Sequence, residues 1–415
     1  MRPKGTARTV AILLPSAWRG GMLRNAFALA RLIAGHEWDG PGRINVVVGL
    51  LRDGLYNWLE LDAAAQAAGG DVSVRRLEWT SWPTDSVRRM FPSLPFVPPA
   101  VPAVMLPCDY RHNFLDCDAW IVFGGSLEGY VAPARPYAVY CADLIQRYVP
   151  QIFDTPNGRE QPELWALQLQ TFLGWRAARC VFATTPQTVS DVVGYAGVPS
   201  SRTLLAPTLI DPLIDTIAPT QSVQDQPCIL WVTNLSPHKN HEVGVRAARI
   251  YYEELGGTLP LVVVGVDSQR LDPQSGADRA GTRAFRAAPE VVRHTRFAGE
   301  VSDAAYTRMV GSSAVVWHNV IADNGTFVVF DAARANRHVV SSDYPQIRYL
   351  CDRYGIHPIW HRADDARGAA QALTLAESRF RAGCSPHHSL RGHTEDDRIG
   401  AYGAVLRRLL GGADV

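Results

Sequence analysis

The sequence predicts an α/β protein made of two doubly wound domains with parallel sheets, and three observations support this fold class. The chain has 415 residues, which is long for one ordinary core and suits two domains of roughly 100 to 200 residues each. Short apolar runs alternate with longer amphipathic stretches, as they do in βαβ units. Hydrophobic residues make up 47% and charged residues 20%, so a large core can be buried.

Five strands are predicted in the first half from short runs of apolar and β-branched residues. Between the first two, Met22 to Ala34 carries apolar residues at a spacing of about 3.6, which predicts a helix entered through Gly20 and Gly21. The predicted strands are Val10 to Leu14, Asn45 to Leu51, Ala119 to Phe123, Tyr137 to Cys141 and Cys180 to Thr184.

A proline-rich stretch from Pro83 to Pro107 interrupts this first half. Its seven prolines exclude a regular helix or a central strand, so a long loop is predicted, and long loops are often functional. Its aromatic residues and the nearby arginines would suit a lipid-linked acceptor at a membrane surface. A covered core loop with a solvated charged face explains them equally well.

The same alternation of strands and helices resumes after a polar stretch from Pro207 to Pro227, where we expect the interdomain linker. The expected domains are an N-terminal one over 1–215, a C-terminal one over 216–390, and a final helix within 391–415 that packs back toward the first. The predicted strands of the second half are Ile229 to Val232, Leu259 to Gly265, Thr295 to Ala298, Ala314 to Trp317, His338 to Ser341 and Ile356 to Trp360, and its predicted helices are His241 to Leu255, Ala304 to Gly311 and Phe327 to Ala335.

Charge and cysteine content argue against several function classes. Lysine and arginine number 41 against 40 for aspartate and glutamate, so no overall field favours nucleic acid or an anionic bilayer. The seven cysteines form no CxxC pair, which fits a reducing cytoplasm and indicates neither a zinc site nor a disulfide framework. The N-terminal apolar run stops at Pro15 and is expected to be a strand rather than a signal peptide. No run is long enough to span a bilayer, so any membrane contact would be peripheral.

The stretch from Val232 to His241 carries the first candidate chemistry. It leads from a predicted strand through a loop containing Pro237, Lys239 and Asn240 into a predicted helix. A lysine at the carboxyl end of a strand can pair with a phosphate, helped by the positive end of the next helix. A solvated lysine in a surface turn explains the spacing equally well.

Asp323 and Asp331 frame the second candidate. They lie eight residues apart and flank Gly325, which precedes a predicted helix, so one carboxylate would lie in the loop and the other within the helix. The amides from Gly325 to Val328 would receive an anionic or hydroxylated ligand, and the helical carboxylate would accept bonds from paired ribose hydroxyls. Alternatively, Asp323 caps the helix and Asp331 is a surface charge.

These two segments resemble glycosyltransferase family 4, and the likeness extends over most of residues 228 to 375. Leu235 to Asn240 is similar to the family's Lys-Asn loop, and Asp323 and Asp331 match the spacing of its Glu-x7-Glu signature. Two further blocks agree in order and spacing with the family pattern: Arg296 to Asp303 with Phe-x-Gly-x-Val-x-Asp, and Ala335 to Asp343 with the Pro-Val-Ile-x-Ser-Asp ending.

The resemblance implies the GT-B architecture, in which two Rossmann-like domains with doubly wound parallel sheets face a cleft. It implies that Lys239 contacts the donor diphosphate and that Lys239 and Asp323 act in catalysis. The acids are Asp where the family has Glu, and Asn234 stands where many members have an Arg, so Lys239, the helix amides and a protonated His238 would share the phosphate charge. The ordinary alternative for a histidine in a turn is that it is solvated. The implied donor-binding residues are Gly20, Gly21, Asn234, His238, Lys239, Asn324, Gly325, Thr326, Phe327 and Asp331.

The first half carries a weaker part of the resemblance. Gly20 and Gly21 are similar to the family's glycine-rich turn, although a turn at a helix entry is the ordinary explanation. Tyr140 to Pro150 is similar to a His-Asp-Leu segment of mannosyl- and rhamnosyl-type members. Ala142 replaces the His, which leaves Asp143 as the catalytic candidate in this half.

The resemblance implies a retaining transfer of a hexosyl group, with mannose or rhamnose favoured, from a nucleoside-diphosphate sugar to a saccharide or lipid-linked acceptor. Such a reaction would serve polysaccharide or glycoconjugate biosynthesis and would need no metal, since GT-B enzymes generally lack a metal clamp. Two alternatives stay open, because a fold does not determine a function. One is a sugar-nucleotide 2-epimerase, and the other is a catalytically inactive glycosyltransferase-like binding protein.

Overall fold

The structure is a computed structural model that describes residues 7–52, 54, 56–67, 69, 71–92, 101–124, 129–154, 161–209, 226–323, 327–390 and 392–411. The chain divides into two compact units. The first contains Met1–Leu144, Phe153–Asp211 and Thr394–Val415, and the second contains Ile145–Ile152 and Pro212–His393. The predicted linker falls largely on residues 210–225, outside the described part of the chain.

The first unit is built on an eight-stranded sheet. Its strands are β1 (Arg8–Leu13), β2 (Ile44–Leu51), β3 (Val72–Pro83), β4 (Ala103–Cys108), β5 (Ala119–Gly124), β6 (Tyr137–Cys141), β7 (Cys180–Ala183) and β8 (Thr203–Leu205). Their order across the sheet is β4-β3-β2-β1-β5-β6-β7-β8, and every neighbouring pair is parallel except β3 with β4. The five strands predicted in this half are confirmed, with bounds that differ by one or two residues.

The central strands β1, β2, β5, β6 and β7 are largely buried on both faces, which explains why they are largely apolar, whereas β3 carries charged and exposed residues. On β1, Val10 and Ile12 belong to one hydrophobic cluster, while Ala11 and Leu13 belong to another. All four side chains are fully buried. The helices of this unit are α1 (Gly21–Gly35), α2 (Trp58–Ala67), α3 (Thr84–Met90), α5 (Gln161–Ala177), α6 (Pro186–Gly194) and α14 (Glu395–Leu410).

The proline-rich stretch differs from the predicted long loop. It begins with helix α3 and ends with strand β4, while residues 93–100 lie outside the described part. Strand β4 pairs antiparallel with β3 from Ala103 opposite Pro83 to Cys108 opposite Glu78. β4 is an edge strand, where a proline leaves no ladder bond unmade on its outer side. The prolines therefore exclude a central strand but not a peripheral one.

The last helix, α14, packs on β6, β7 and β8 within the first unit. Thr394 and Asp397 form a capping box at its start, in which each side chain accepts a bond from the other residue's backbone N–H. Near its middle, Tyr402 donates its hydroxyl to the carbonyl of Pro207 at 2.8 Å. At its end, Arg8 donates to the carbonyl of Leu410 at 2.7 Å. These bonds tie the C-terminal segment to strand β1 and to the residues after β8.

The second unit is built on a six-stranded parallel sheet. Its strands are β9 (Ile229–Val232), β10 (Leu261–Val264), β11 (Thr295–Gly299), β12 (Val315–His318), β13 (His338–Ser342) and β14 (Ile359–His361), in the order β11-β10-β9-β12-β13-β14. The order reverses between β9 and β12. In such sheets ligands bind beyond the carboxyl ends of the strands at this switch point.

Helices connect the strands of the second sheet, as the sequence predicts for a doubly wound unit. The predicted helices after β9, after β11 and after Asp323 are confirmed within two residues at each end. The helices assigned to this unit are α4 (Ile145–Tyr148), α7 (His241–Glu253), α8 (Ala280–Arg286), α9 (Pro289–Arg293), α10 (Asp303–Ser312), α11 (Phe327–Arg334), α12 (Pro345–Tyr354) and α13 (Ala366–Arg381).

Trp231 on β9 and Trp317 on β12 mark the centre of the second unit's core. They are register partners on adjacent strands, both fully buried, and their ring centroids lie 4.8 Å apart. Aromatic pairs at this separation add to the stability that comes from burying their area. The strands that flank the switch point are thus held together firmly just before their carboxyl ends.

In the part of the chain that the structure describes, no helix is both long enough and apolar enough to cross a bilayer.

Candidate functional site

The loop after β9 and the segment after β12 lie side by side at the switch point of the second sheet. Because β9 and β12 are adjacent and parallel, their carboxyl ends meet at the same edge. We call residues 234–240 the lysine loop and residues 319–323 the aspartate segment. The topology therefore joins the two stretches that the sequence singles out, although they are 84 residues apart at Lys239 and Asp323.

Alternate residues of the aspartate segment hold the lysine loop. The amide of Asn319 donates from Nδ2 to the carbonyl of Asn240 at 2.9 Å, and the backbone N–H of Ile321 donates to the carbonyl of His238 at 2.8 Å. The third contact is the ion pair between Lys239 and Asp323. These three contacts, made at residues 319, 321 and 323, join the aspartate segment to the lysine loop along most of its length.

The ion pair joins Lys239 Nζ to Asp323 Oδ2 at 2.8 Å, and both side chains are largely buried, with exposed fractions of 15% and 16%. Burial alone would raise the pKa of the Asp323 carboxyl, but the Lys239 ammonium outweighs burial and holds this pKa below its ordinary range. Asp323 is therefore ionised at neutral pH. A lysine ammonium has three donors, so it can serve a carboxylate and still donate to other oxygens.

His238 lies within the lysine loop and is buried. Its Nδ1 is 2.7 Å from the hydroxyl of Ser236. Burial, and next the charge of Lys239, lower the pKa of His238 to about 3, so the ring is neutral at neutral pH. The expectation that a protonated His238 shares the phosphate charge with Lys239 is wrong for this reason. A neutral imidazole can still donate one hydrogen bond.

Asn234 and Asn240 shape the two ends of the lysine loop. The Oδ1 of Asn234 accepts a bond from the backbone N–H of Ser236 at 3.0 Å, which is an Asx turn. Asn240 has a left-handed backbone with φ of 57°, and its Nδ2 donates to the carbonyl of Ala363 at 2.7 Å. Helix α7 then begins at His241. The assignment of Asn234 to the donor remains a prediction, and its oxygen already has a local role.

Asp331 lies in the second turn of α11 and is buried, with 1% of its surface exposed. Its Oδ2 accepts a bond from the hydroxyl of Tyr306 on α10 at 2.9 Å. The alternative that Asp331 is a surface charge is therefore excluded. Whether this carboxylate also meets ribose hydroxyls remains a prediction. Phe327, the first residue of α11, is buried, and the predicted donor ligands Asn324, Gly325 and Thr326 lie outside the described residues.

The predicted residues of the first half belong to the first unit. Gly20 precedes α1 with a φ of 61°, a conformation that favours glycine, and no atom lies within 4 Å of the position a Cβ would take. Gly21 is the first residue of α1. Asn25, in the second turn of α1, donates to the hydroxyl of Tyr140 at the end of β6, and Asp143 follows that strand, half-buried. The glycine turn and Asp143 thus lie toward the same edge of the first sheet.

The described residues contain no cluster of three or more His, Cys, Asp or Glu side chains arranged to hold a metal ion. One Asp-x-Asp triplet is present in the first unit at Asp116 and Asp118. Asp116 accepts two bonds from Arg75 at 3.0 and 2.8 Å, and Asp118 accepts the backbone N–H of Thr9 at 2.8 Å. Both acids therefore have a role in holding the sheet together.

Sequence reasoning missed His318, Asn319 and Tyr306. The signal for the first two is that the apolar run of β12 ends in two polar residues, where strand ends of α/β sheets carry ligand-binding groups. A further missed signal concerns Lys239. The sequence has only two lysines, Lys4 and Lys239, among 41 lysine and arginine residues. A chain that uses arginine nearly everywhere retains lysine at this position.

No protein-family model matches the chain, and no curated protein matches it. Solved structures do resemble it. HepE of Anabaena in complex with UDP is 14% identical, with 97% of this chain and 95% of that chain covered and a TM-score of 0.57.

Sucrose-phosphate synthase of Thermosynechococcus elongatus is 13% identical, with 97% and 99% covered and a TM-score of 0.58. WaaG, a glycosyltransferase involved in lipopolysaccharide biosynthesis, is 13% identical, with 97% and 100% covered and a TM-score of 0.56. With two α/β units and a switch-point site already described, this likeness over nearly the whole chain identifies the fold as GT-B, the fold of these glycosyltransferases.

Proposed function

We propose that the chain is a retaining glycosyltransferase that moves a hexosyl group from a nucleoside-diphosphate sugar to a saccharide or lipid-linked acceptor. The observation that carries the proposal is the ion pair between Lys239 and Asp323 at the switch point of the second sheet. A Rossmann-like unit binds nucleotides at this place. The similar structures include HepE in complex with UDP, which supports a nucleotide donor for this chain.

Lys239 would stabilise the leaving group. Transfer of the glycosyl group leaves negative charge on the β-phosphate, and a preorganised cation stabilises this charge most effectively where water is largely excluded. Lys239 meets both conditions, because Asp323 orients its ammonium and only 15% of its side chain is exposed. The first-turn amides of α7, which begins two residues later, would add the positive end of a helix. The proposed reaction uses no metal cofactor.

The other assigned residues take supporting roles in the proposal. Asp323 holds Lys239 and would meet the glycosyl group beside the phosphates, while Asp331 would accept bonds from ribose hydroxyls. Gly20 and Gly21 would allow close approach of the donor, and Asp143 would face the reacting centre. Mannose or rhamnose as the transferred sugar rests on the family resemblance alone.

Two exposed apolar side chains, one just before the proline-rich stretch and one within it, support a lipid-linked acceptor. Trp82 on β3 and Met90 on α3 have exposed fractions of 39% and 49%. Aromatic and long apolar side chains of this kind favour a membrane interface. We therefore place the protein in the cytoplasm with peripheral contact to the membrane. Co-sedimentation with anionic vesicles tests this, and binding that is unchanged in a W82S/M90S variant would contradict it.

The test of the main proposal begins with a thermal-shift screen of UDP-, GDP-, ADP- and TDP-sugars, because a ligand of the native state raises the melting temperature. Nucleotide release is then measured with the best donor, with and without a cell extract as acceptor. Release that depends on acceptor supports the transferase. Release of an epimerised free sugar without acceptor would identify the epimerase, and tight binding without turnover would identify a binding protein. If no sugar nucleotide binds, the proposal is wrong.

A further inference from the structure

His318 is a buried histidine at the candidate site that neither the sequence pattern nor the proposed mechanism uses. It is the last residue of β12, one residue before the aspartate segment, and 1% of its surface is exposed. Its ring packs against Tyr344, with centroids 6.0 Å apart. A histidine in such a place needs a polar partner for each ring nitrogen, because a buried polar atom without one is costly.

The hydrogen bonds around Ser341 determine the tautomer of His318. Ser341, the register partner of His318 on β13, donates its hydroxyl proton to the carbonyl of Ser342 at 3.0 Å. A serine hydroxyl has one proton, so its oxygen can only accept in its second bond, which joins it to His318 Nδ1 at 2.9 Å. Nδ1 therefore carries the ring proton, and Nε2 is a bare acceptor.

The Nε2 atom has no hydrogen-bond partner among the residues that the structure describes. It cannot become a donor by protonation near neutral pH, since burial lowers the pKa of His318 to about 3. The nearby charges that act on the ring are those of Asp323, Lys239 and His361. An unpartnered acceptor thus lies within electrostatic reach of the ion pair at the candidate site.

We infer that His318 recognises a hydroxyl group of the transferred sugar through Nε2. This inference rests on the proposed function and adds a specificity-determining residue to it. A bare nitrogen cannot bond to phosphate oxygens, which are also acceptors, whereas every sugar hydroxyl can donate. Lys239 and His318 would therefore bind different parts of the donor, because one is a hydrogen-bond donor and the other an acceptor. The cation matches the diphosphate, and the acceptor matches the glycosyl group beside it.

Because Nε2 is buried, the contact requires local opening of the segment after β12. Binding of the glycosyl part, rather than of the nucleotide alone, would stabilise the opened arrangement. Hydrogen exchange at residues 319–323 should therefore differ between the protein with UDP and the protein with UDP-glucose. Equal exchange with the two ligands would contradict the inference.

Two substitutions of His318 distinguish the role of Nδ1 from the role of Nε2. Asn at 318 places its polar atoms near Nδ1 and keeps a partner for Ser341, but it lacks an acceptor at the Nε2 position. Gln at 318 is longer and retains one there. We expect His318→Asn to weaken binding of the sugar nucleotide about tenfold, the effect of one hydrogen bond, while binding of the parent diphosphate changes less than about twofold. His318→Gln should retain affinity within about threefold.

Calorimetry with two pairs of probes, UDP-glucose against UDP and GDP-mannose against GDP, measures this difference. The matched control is His338→Asn. His338 is equally buried and lies on the neighbouring strand, but at the opposite end, opposite Val315. It should alter the melting temperature without altering the preference for the sugar.

Several outcomes would overturn the inference while leaving the proposed function intact. One is a wild-type protein that binds a sugar nucleotide while His318→Asn binds it equally well. Another is an equal loss for sugar nucleotide and diphosphate, which would assign His318 a structural role. If His318→Asn does not fold, singly deoxygenated UDP-glucose analogues on the wild type replace it, and equal affinity for all of them would contradict the inference. A wild type that binds none of the UDP-, GDP-, ADP- and TDP-sugars of the thermal-shift screen counts against the proposed function itself.

Discussion

Asp323 and Asp331 are eight residues apart in the chain, yet their surroundings differ in kind. Asp323 lies five residues beyond the end of β12 at the carboxyl edge of the second sheet, and a lysine ammonium neutralises it at 2.8 Å. Asp331 lies within helix α11, buried to 1% exposure, and accepts a bond from the neutral hydroxyl of Tyr306 at 2.9 Å. One carboxylate belongs to a charge pair and the other to a contact between two helices.

Because of this difference, we expect the two acids to have different roles. A charge pair at a sheet edge can exchange partners with an anionic ligand, because its cation keeps donors to spare. A carboxylate that joins two helices stabilises the fold and has less freedom to rearrange. We therefore expect substitutions around Asp323 to change turnover most, and substitutions around Asp331 to change stability most.

The largest effect is expected at Lys239. Lys239→Ala removes the cation that would stabilise the leaving diphosphate, so turnover should fall about 100- to 1,000-fold while the protein stays folded. Lys239→Arg keeps the charge but introduces a larger planar group, and turnover should still fall about tenfold or more. Steady-state kinetics with the identified donor measure both, and Lys4→Arg is the matched control.

The lysine content of the chain offers a second measurement on the unmodified protein. An amine-specific reagent can label only Lys4, Lys239 and the N-terminus. A nucleoside-diphosphate sugar should protect Lys239 and leave Lys4 unchanged as the internal control. Equal labelling of Lys239 with and without donor would contradict its role as a phosphate ligand.

Asp323→Asn should produce the next largest effect. It leaves Lys239 without its charge partner in a largely buried place, so turnover should fall about 10- to 100-fold. The free energy of unfolding should also fall, by about 1 to 3 kcal/mol. Chemical denaturation and kinetics on the same preparation separate the two losses. Unchanged turnover in a folded Asp323→Asn protein would contradict the different roles assigned to Asp323 and Asp331.

Acidification should lower the stability of the protein through the buried histidines near Asp323. Burial lowers the pKa values of His238 and His318 to about 3 and of His241 to about 4. The unfolded chain takes up these protons below pH of about 6.5 while the folded protein does not, so stability is complete above that pH and is lost as pH falls toward these lowered values.

Each such histidine should contribute about 1.4 kcal/mol of lost stability for every pH unit below 6.5. Urea denaturation at several pH values between 7 and 4.5 measures the slope. His318→Gln should reduce the slope by about one proton.

The smallest effect on turnover is expected at Asp331. Asp331→Asn and Tyr306→Phe should each lower the free energy of unfolding by about 1 to 2 kcal/mol, and the double variant should lose less than the sum because the two side chains share one bond. Donor affinity should change about threefold or less in Tyr306→Phe. If Asp331→Asn instead abolishes donor binding with full stability, then Asp331 is mainly a ribose ligand and the contrast with Asp323 disappears.

Most of the strands could be predicted from the sequence, because a run of neighbouring apolar residues is enough to indicate a buried strand. The central strands of both sheets are largely buried on both faces, so they are short apolar runs, and the bounds of the eleven predicted strands agree with the structure within three residues. Strand β4 and helix α3 were not predictable in this way. Prolines disfavour regular structure locally, and only the position of β4 at the edge of the sheet, paired with β3, makes them compatible with a strand.

The candidate site likewise has features that the sequence predicts and features that depend on the folded chain. Lys239 and Asp323 could be named from the order and spacing of their motifs. The neutral state of His238 could not, because it follows from burial by elements distant in sequence, which lowers its pKa. The bare nitrogen of His318 could not either, because its tautomer depends on a serine of the next strand.

The sequence by itself determined that the chain forms two α/β units and which short motifs carry charge, because hydrophobic periodicity and motif spacing are local properties of the chain. Three features follow from the folded chain: the lysine loop and the aspartate segment meet at the switch point, Asp331 is buried and accepts a bond from a tyrosine, and the histidines around the ion pair are uncharged. Partners and burial depend on residues far apart in the chain, and strand order alone brings those residues together.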